Sequence, residues 1–555
     1  MKDDRILTCL LFLICLLHTG DIYSETTSSG TAYEVTTETT KKGILLEEYT
    51  GIKCGNCPDG HAMGATLLKA DTDAYVVAIH AGGYSDPYSD QPDYRTTEGV
   101  AINTNFNVER YGYPSGSINR HIFDESSASI ICNRSLWIPY SKYLATEDAP
   151  VNLLVKSAYD GATRKLTVHV EGYYTALEQL AEQQLNVLWT QDNIKGPQSG
   201  ANMGDDYVHQ HMLRGYISAL WGDALEAPTQ GKYFEKDYTM TLPEEVREVS
   251  VKPEDIRVIA FVTNGKTDVL NVTGAKPVYT NLSMPTGGTL STPKLPVGAY
   301  YGYNFFDMVL TNKSDKPITT ATFDVIVNDV TTSASWNGEI PPFDGCEITI
   351  KSNYSMKETG SNDYRIVLKT INGESVAESA LEGTFTSPIA ATPTISIKFK
   401  TNHEASDNNF YVKDADGNVV KEFGPYEDGK VGEYDESITL DANSIYCIEV
   451  TDSWGDGIYS PAGYFTSHSS DGSLIEQVYK IADFGTRSFF RTSKGEIPSG
   501  IDAPSFNEGT DANVIVYSMN GTTVYNGLKS GMTLRAGTYI VYDKARRTMT
   551  KRTIK

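Results

Sequence analysis

Two cysteines separated by two residues, Cys54-Gly55-Asn56-Cys57, constrain this chain more than any other feature. They stand between an apolar, strand-like run, Ile44 to Tyr49, and a stretch that reads as a helix through Leu68. A helix N-terminus carries unpaired N–H groups and partial positive charge, and both stabilise a thiolate placed there. Pro58 suits the first helical turn, where a missing N–H costs nothing. The pattern is that of a redox pair, with Cys54 the exposed nucleophile and Cys57 the resolving thiol. Attachment of a c-type haem requires His after the second Cys, and Pro58 occupies that place. Zinc needs two further ligands; His61 and His80 are near in sequence, but no second C-x-x-C follows. A static disulfide that pins the loop is the remaining alternative, and redox use is favoured over it.

Residues Ile6 to Leu17 form an apolar run behind Lys2 and Arg5. The run is too short to span a bilayer and fits the core of a secretory signal over residues 1–24, cut near Gly20 or Ser24. Cys9 and Cys15 fall inside it, and neither follows the Gly or Ala of a lipoprotein cleavage site. Export leaves Cys54, Cys57, Cys132, Cys346 and Cys447, too few for a disulfide scaffold. Cys132, Cys346 and Cys447 read as buried, small apolar residues. A formal net charge of −24 excludes nucleic acid and anionic membrane as partners. No segment after the signal reads as a membrane-crossing helix.

A chain of 555 residues exceeds one core, so several domains are expected. Residues 25–42 are Ser/Thr-rich and read as a linker. Residues 43–147 read as an α/β domain, with a buried strand at Tyr75–His80 and a second helix over Arg95–Phe106. Residues 148–284 read as β-rich. His209 and His211 would share one strand face there, with Asp205 or Asp206 nearby, as a structural pair rather than a metal site. Residues 285–393 carry the alternating runs of an immunoglobulin-like sandwich, and 394–492 form another all-β block. A linker over 493–510 precedes a last small block, 511–555.

The segment Leu45–His61, the run ending in His80 and the loop Gly112-Tyr113-Pro114 resemble a Bacteroidetes family of outer-membrane proteins. That family is built on a thioredoxin-like domain and includes Porphyromonas-type surface antigens. The resemblance extends through Val151–Ala275, on NVLWTQDNIKGPQ (186–198) and YVHQHMLR (207–214). It implies a thioredoxin-like fold in which Pro114 lies opposite the cysteines, in a cis peptide, and shapes a substrate groove. Unlike plain thioredoxin, the chain shows no clear final hairpin between Phe123 and Ser135. Glu47 or Glu48, whichever side of the strand faces Cys57, is the proton acceptor; Glu48 is the candidate.

Asp452-Ser453-Trp454-Gly455-Asp456-Gly457 resembles the D-S-x-G-D-G signature of secreted jelly-roll modules. It is not an EF-hand, because Trp454 replaces the third-position ligand. Asp452 and Asp456 are candidate calcium ligands, with an Asx-type turn as the alternative; no other cofactor is implied. Asp511–Lys555, with VIVYSMNG, AGTYIVYD and a basic end, resembles a type IX secretion sorting domain. The implied partners are the type IX machinery and either a protein thiol or disulfide substrate or a host surface ligand. Two functions follow: a surface-delivered thiol–disulfide protein, or a non-enzymatic adhesin or antigen that uses the fold as a scaffold.

Overall fold

A computed structural model describes residues 33–70, 73–124, 128–176, 183–226, 228–295, 305–424, 426–458, 463–478, 484–494, 513–518, 523–528, 537–544 and 548–554. The expected signal, residues 1–24, lies outside these, as do residues 25–32 of the first linker and nearly all of the second. The chain divides into two compact units, Met1–Gly495 and Glu496–Lys555. It is mostly β, with one nine-stranded sheet and several of two to five strands among the described residues.

The first unit is organised around β1 (Ile44–Thr50), whose seven residues are all buried. A strand buried on both faces needs cover on both sides, and β1 receives it. α1 (Cys57–Lys69) and α3 (Trp137–Ala145) cover the face formed by Ile44 and Leu46, packing Leu67, Trp137 and Ile138 there. α2 (Thr97–Asn105), capped by Thr96 Oγ1 on Gly99 N–H at 3.0 Å, covers the other, where Leu45 and Tyr49 meet Ile102 and Leu213. β2 (Ala74–His80) pairs parallel to β1, and β3 (Ser115–Ile118) antiparallel to its other edge. A short β4 (Cys132–Asn133) then pairs with β3, in the region where no hairpin was legible.

The sheet does not stop there. β5 (Val151–Asp160) and β6 (Lys165–Tyr174) leave it, but β7 (Gln183–Gln191), β10 (Met212–Tyr216), β15 (Ile256–Asn264) and β16 (Thr267–Ala275) return to it. The strands between are β8 (Ile194–Lys195), β9 (Val208–His209), β11 (Asp223–Ala224), β12 (Tyr233–Thr241), β13 (Glu245–Val246) and β14 (Val249–Ser250), all but β12 of two residues. The order is β16-β15-β7-β10-β2-β1-β3-β4, with β11 paired to β7. The boundary expected near residue 147 therefore falls inside one continuous sheet. β5, β6 and β12 form a second layer over it, with Val168 and Tyr159 packed on Leu185, Trp189 and Val258.

Residues 33–42, expected to be part of a linker, are laid against this layer. The N–H groups of Glu34 and Val35 donate to the buried carboxylate of Glu171 at 2.9 and 2.7 Å, and Asn152 Nδ2 donates to Thr36 O at 2.7 Å. Fixed hydrogen-bond partners, not apolar periodicity, order this Ser/Thr-rich segment.

Two further β blocks follow. In the first, Phe305–Asn312 and Gly345–Lys351 face Ile318–Val327 and Ser361–Ile371 across a core of Phe306, Phe323 and Ile366. In the second, Asn408–Lys413 and Ile445–Asp452 face Thr394–Lys400 and Tyr464–Ser469 across Phe399, Phe410 and Phe465. Cys447 is buried, but in the core of the preceding block. Cys132 and Cys346, expected to be buried, are each half-buried. The second unit is a four-stranded antiparallel sheet, with Asn513–Ser518 and Gly537–Asp543 at its centre.

Candidate functional site

Consecutive strand residues face opposite ways, so Glu47 and Glu48 of β1 part company. Glu47 turns to the α2 side. There Arg120 Nε and Nη2 donate to its two oxygens at 2.8 and 2.6 Å, and Ser117 Oγ donates at 3.0 Å. Its charge is fully met. Glu48 turns beneath α1, the helix that begins with Cys57. Gly60 and Gly64 make the room: a Cβ at Gly60 would lie 2.7 Å from Glu48 Oε1 and 2.9 Å from Pro114 Cβ. Oε1 has no hydrogen-bond partner among the described residues, and His61 Nε2 stands 3.8 Å away. Burial alone pushes this carboxyl up to about 8. Cys57, Gly60 and Gly64 are all on the buried face of α1, so Glu48 sits on the side that holds Cys57.

Cys54 and Cys57 are joined by a disulfide at the mouth of α1, and the Tyr113–Pro114 peptide is cis. Cys54 was expected to be exposed, yet it is only 3 % accessible. A strap between β8 and β9, Gly196–Ala201, covers it. Gln198 Nε2 donates to Gly51 O at 3.1 Å and to Cys54 O at 2.9 Å, while Ser199 N–H donates to Ile52 O at 2.9 Å. Gly200 approaches so closely, at φ +84°, that a Cβ there would lie 2.0 Å from Gly55 O. Beside the cysteine loop a cleft of about 520 Å³ stays open, lined by Lys53, Tyr84, Tyr88, Glu109 and Tyr113.

Behind the strap lies a cluster that the sequence did not announce. His61 Nδ1 is 2.6 Å from Tyr207 OH, and its Nε2 is 2.9 Å from Thr50 Oγ1. The His209 ring lies 5.5 Å from His80, 4.7 Å from Tyr94 and 5.0 Å from Tyr207. Neither nitrogen of the buried His80 has a hydrogen-bond partner among the described residues. Burial, reinforced for His61 and His80 by neighbouring histidines, pushes these rings down: His61 to about 3, His209 to about 4, and His80 well below its usual value. All three are neutral. His209 and His211 do not share a face. His211 sits between β9 and β10 at φ 55°, which breaks the alternation, and it pairs with Asp192 at 2.9 Å.

The Asp452 loop takes the turn form. Asp452 Oδ1 accepts the N–H groups of Trp454 and Gly455 at 2.9 and 2.7 Å, and Oδ2 accepts that of Gly457 at 2.6 Å. Asp456 turns instead to Glu404 and Asp407, and Lys142 of α3 places its ammonium among all three. Trp454 packs on the α1–α3 core with Trp137 and Ile138.

The strap and Tyr207 come from one stretch, beyond the sheet's return. Residues 101–281 match the model of the outer membrane protein Omp28 family. The match takes in Pro114, Arg120, the strap and Tyr207, and begins after the two cysteines. It relates this part of the chain to an outer-membrane family, and the chain's place is the outer membrane and cell surface. No curated protein matches the sequence. Among solved structures, HBP35 of Porphyromonas gingivalis is similar at 19% identity and a TM-score of 0.32, over 62% of this chain and 98% of that one. A domain of the outer membrane lipoprotein Omp28 from the same organism is similar at 22% identity and a TM-score of 0.18, over 24% and 91%. Neither likeness carries the functional reading, which rests on the site's own geometry. No helix among the described residues is long and apolar enough to cross a membrane.

Proposed function

We propose that this is a surface protein whose thioredoxin-like N-terminal part exchanges thiols and disulfides through Cys54 and Cys57. One observation carries the reading: Glu48, an unpaired carboxyl held beneath the cysteine helix against Gly60 and Pro114. An uncompensated buried carboxyl costs several kcal/mol, a cost that a scaffold has no reason to keep. In the reduced pair, the Cys54 thiolate attacks a protein disulfide. A Cys54–substrate bond forms, and the first substrate sulfur leaves and takes a proton from water. Cys57 then gives its proton to the Glu48 carboxylate and attacks Cys54 Sγ. The Cys54–Cys57 bond re-forms and the second substrate sulfur leaves. Two electrons pass to the substrate, and Pro114 shapes the groove in which it lies. Residues 1–24 and 511–555 supply the export signal and the type IX sorting address.

A second reading, a non-enzymatic adhesin or antigen, has one observation in its favour: the strap closes over Cys54. Trapping decides between them. Cys57→Ser should accumulate mixed disulfides through Cys54, and Cys54→Ser should accumulate few. If neither traps a partner and the wild-type pair resists glutathione-level potentials, the disulfide is structural and the scaffold reading stands.

A further inference from the structure

Resting on the redox reading, we infer that His61 and Tyr207 form a proton relay that connects the buried Glu48 carboxyl to solvent. Glu48 has a task that its surroundings make difficult. Burial pushes Glu48 up to about 8, so each turnover requires it to lose a proton before it can take one from Cys57, yet its side chain lies beneath α1 and is only 2 % exposed. Among the described residues, the one side chain within ion-pair distance of it is His61, whose Nε2 is 3.8 Å from Oε1. The opposite nitrogen of the same ring is 2.6 Å from the phenol of Tyr207. Both outer members reach water: the His61 side chain is 17 % exposed, and Tyr207 is half-buried. Carboxyl, imidazole and phenol are therefore successive neighbours, 3.8 and 2.6 Å apart, between the cysteine helix and the surface.

The neutral ring suits the work. With the proton on Nδ1, the ring donates to Tyr207 and Nε2 accepts from Thr50 Oγ1 at 2.9 Å, so Glu48 must close its 3.8 Å gap to displace that hydroxyl from the lone pair. Glu48 gives its proton to Nε2 as Nδ1–H passes to the phenol oxygen and the phenol proton passes to water. The ring is left as the other tautomer, with Nε2–H held by Thr50 Oγ1 at 2.9 Å. When a dithiol reductant reloads the cysteine pair, Cys57 must regain a proton, and the same transfer run inward resets the ring. No imidazolium forms in either direction. This agrees with what surrounds the ring: burial, and then His209, its ring centroid 6.3 Å away, and His211, disfavour a positive charge on His61. Tyr207 comes from beyond the sheet's return, so the path does not exist without that segment. His61 and Tyr207 touch no reacting sulfur and act only through Glu48.

The test uses the full chain, reduced with dithiothreitol and mixed with a cystine-bridged peptide in single turnover. Formation of the mixed disulfide and its resolution by Cys57 are followed separately. Tyr207→Phe and His61→Ala should leave formation unchanged and slow resolution roughly tenfold, the lower range for loss of proton-transfer assistance. The wild-type solvent isotope effect on resolution should change in both variants. Added imidazole should restore His61→Ala and do nothing for Tyr207→Phe. A purely structural role would slow both steps together and give no rescue, and that result overturns the relay. So does resolution at the wild-type rate in both variants. If the wild-type chain forms no mixed disulfide at all, the redox reading fails and the relay falls with it.

Discussion

At the scale of residues, two adjacent carboxylates show how one strand assigns opposite fates. Glu47 is neutralised by a bidentate, fully buried Arg120, which also lies over Phe261 at 5.3 Å. Arg120→Met should cost about 3–5 kcal/mol in chemical denaturation, because it strands a buried charge; adding Glu47→Leu should recover most of that. Glu48 has no such partner, and its folded pKa is raised to about 8 from 4.5. A raised carboxyl is at full stability below its unfolded value and loses it as pH climbs to the folded one. Glu48→Gln should therefore be more stable than wild type by roughly 3–5 kcal/mol above pH 8, and the gap should close towards pH 4.5. A gap that does not vary with pH would mean that Glu48 is not the titrating group. Alternation along Ile44–Thr50 shows in the sequence that the two glutamates diverge. It does not show which one lies under the helix, because that depends on Arg120, a residue in a left-handed conformation far along the chain.

At the scale of elements, the strap and the histidine cluster behave as one layer over the cysteine loop. Gly200 has no room for a side chain, so Gly200→Ala should lift the strap. The expected result is faster reduction of Cys54–Cys57 by dithiothreitol, with new protease cleavage near Ser199. Reduction at the wild-type rate would mean that Cys54 is screened by something else. The neutral rings of His61, His80 and His209 work in the opposite sense to Glu48. Depressed folded pKa values give stability that is present above pH 6.5 and lost as pH falls towards 4 and 3. Melting temperature should drop steadily below pH 6.5, and His209→Gln should flatten that drop. Strand β1, the cysteine turn and α1 were legible because each is a local pattern. The layer above them was not. It depends on β10 pairing with β2 and on β8 and β9 pairing with each other, and no local signal in Pro197–Ser199 or Tyr207 points to a partner in the cysteine loop.

At the scale of the whole molecule, the N-terminal part and the second β block of the first unit are joined by side chains that look superficial in sequence. Lys142 binds Glu404, Asp407 and Asp456, and Trp454 seats the second β block on α3. Lys142→Met should leave three carboxylates facing one another and red-shift the Trp454 fluorescence on mild heating. Calcium should then give a binding heat with the variant and none with wild type, because in wild type the ammonium already holds the place. The last block is expected to be absent from surface-released protein, and intact-mass measurement should show a chain ending near Asp511. One feature of the sheet governs when such a chain can close its core. β2 has β1 on one side, but its other neighbour is β10, which begins only at Met212. A chain that emerges N-terminus first cannot close its central sheet until the residues through Tyr216 are also through. Until then one flank of β2 stays unpaired, and formation of so non-local a contact is slow. The timing of closure is thus written into the strand order: the central sheet is completed only once more than a third of the chain is available to it.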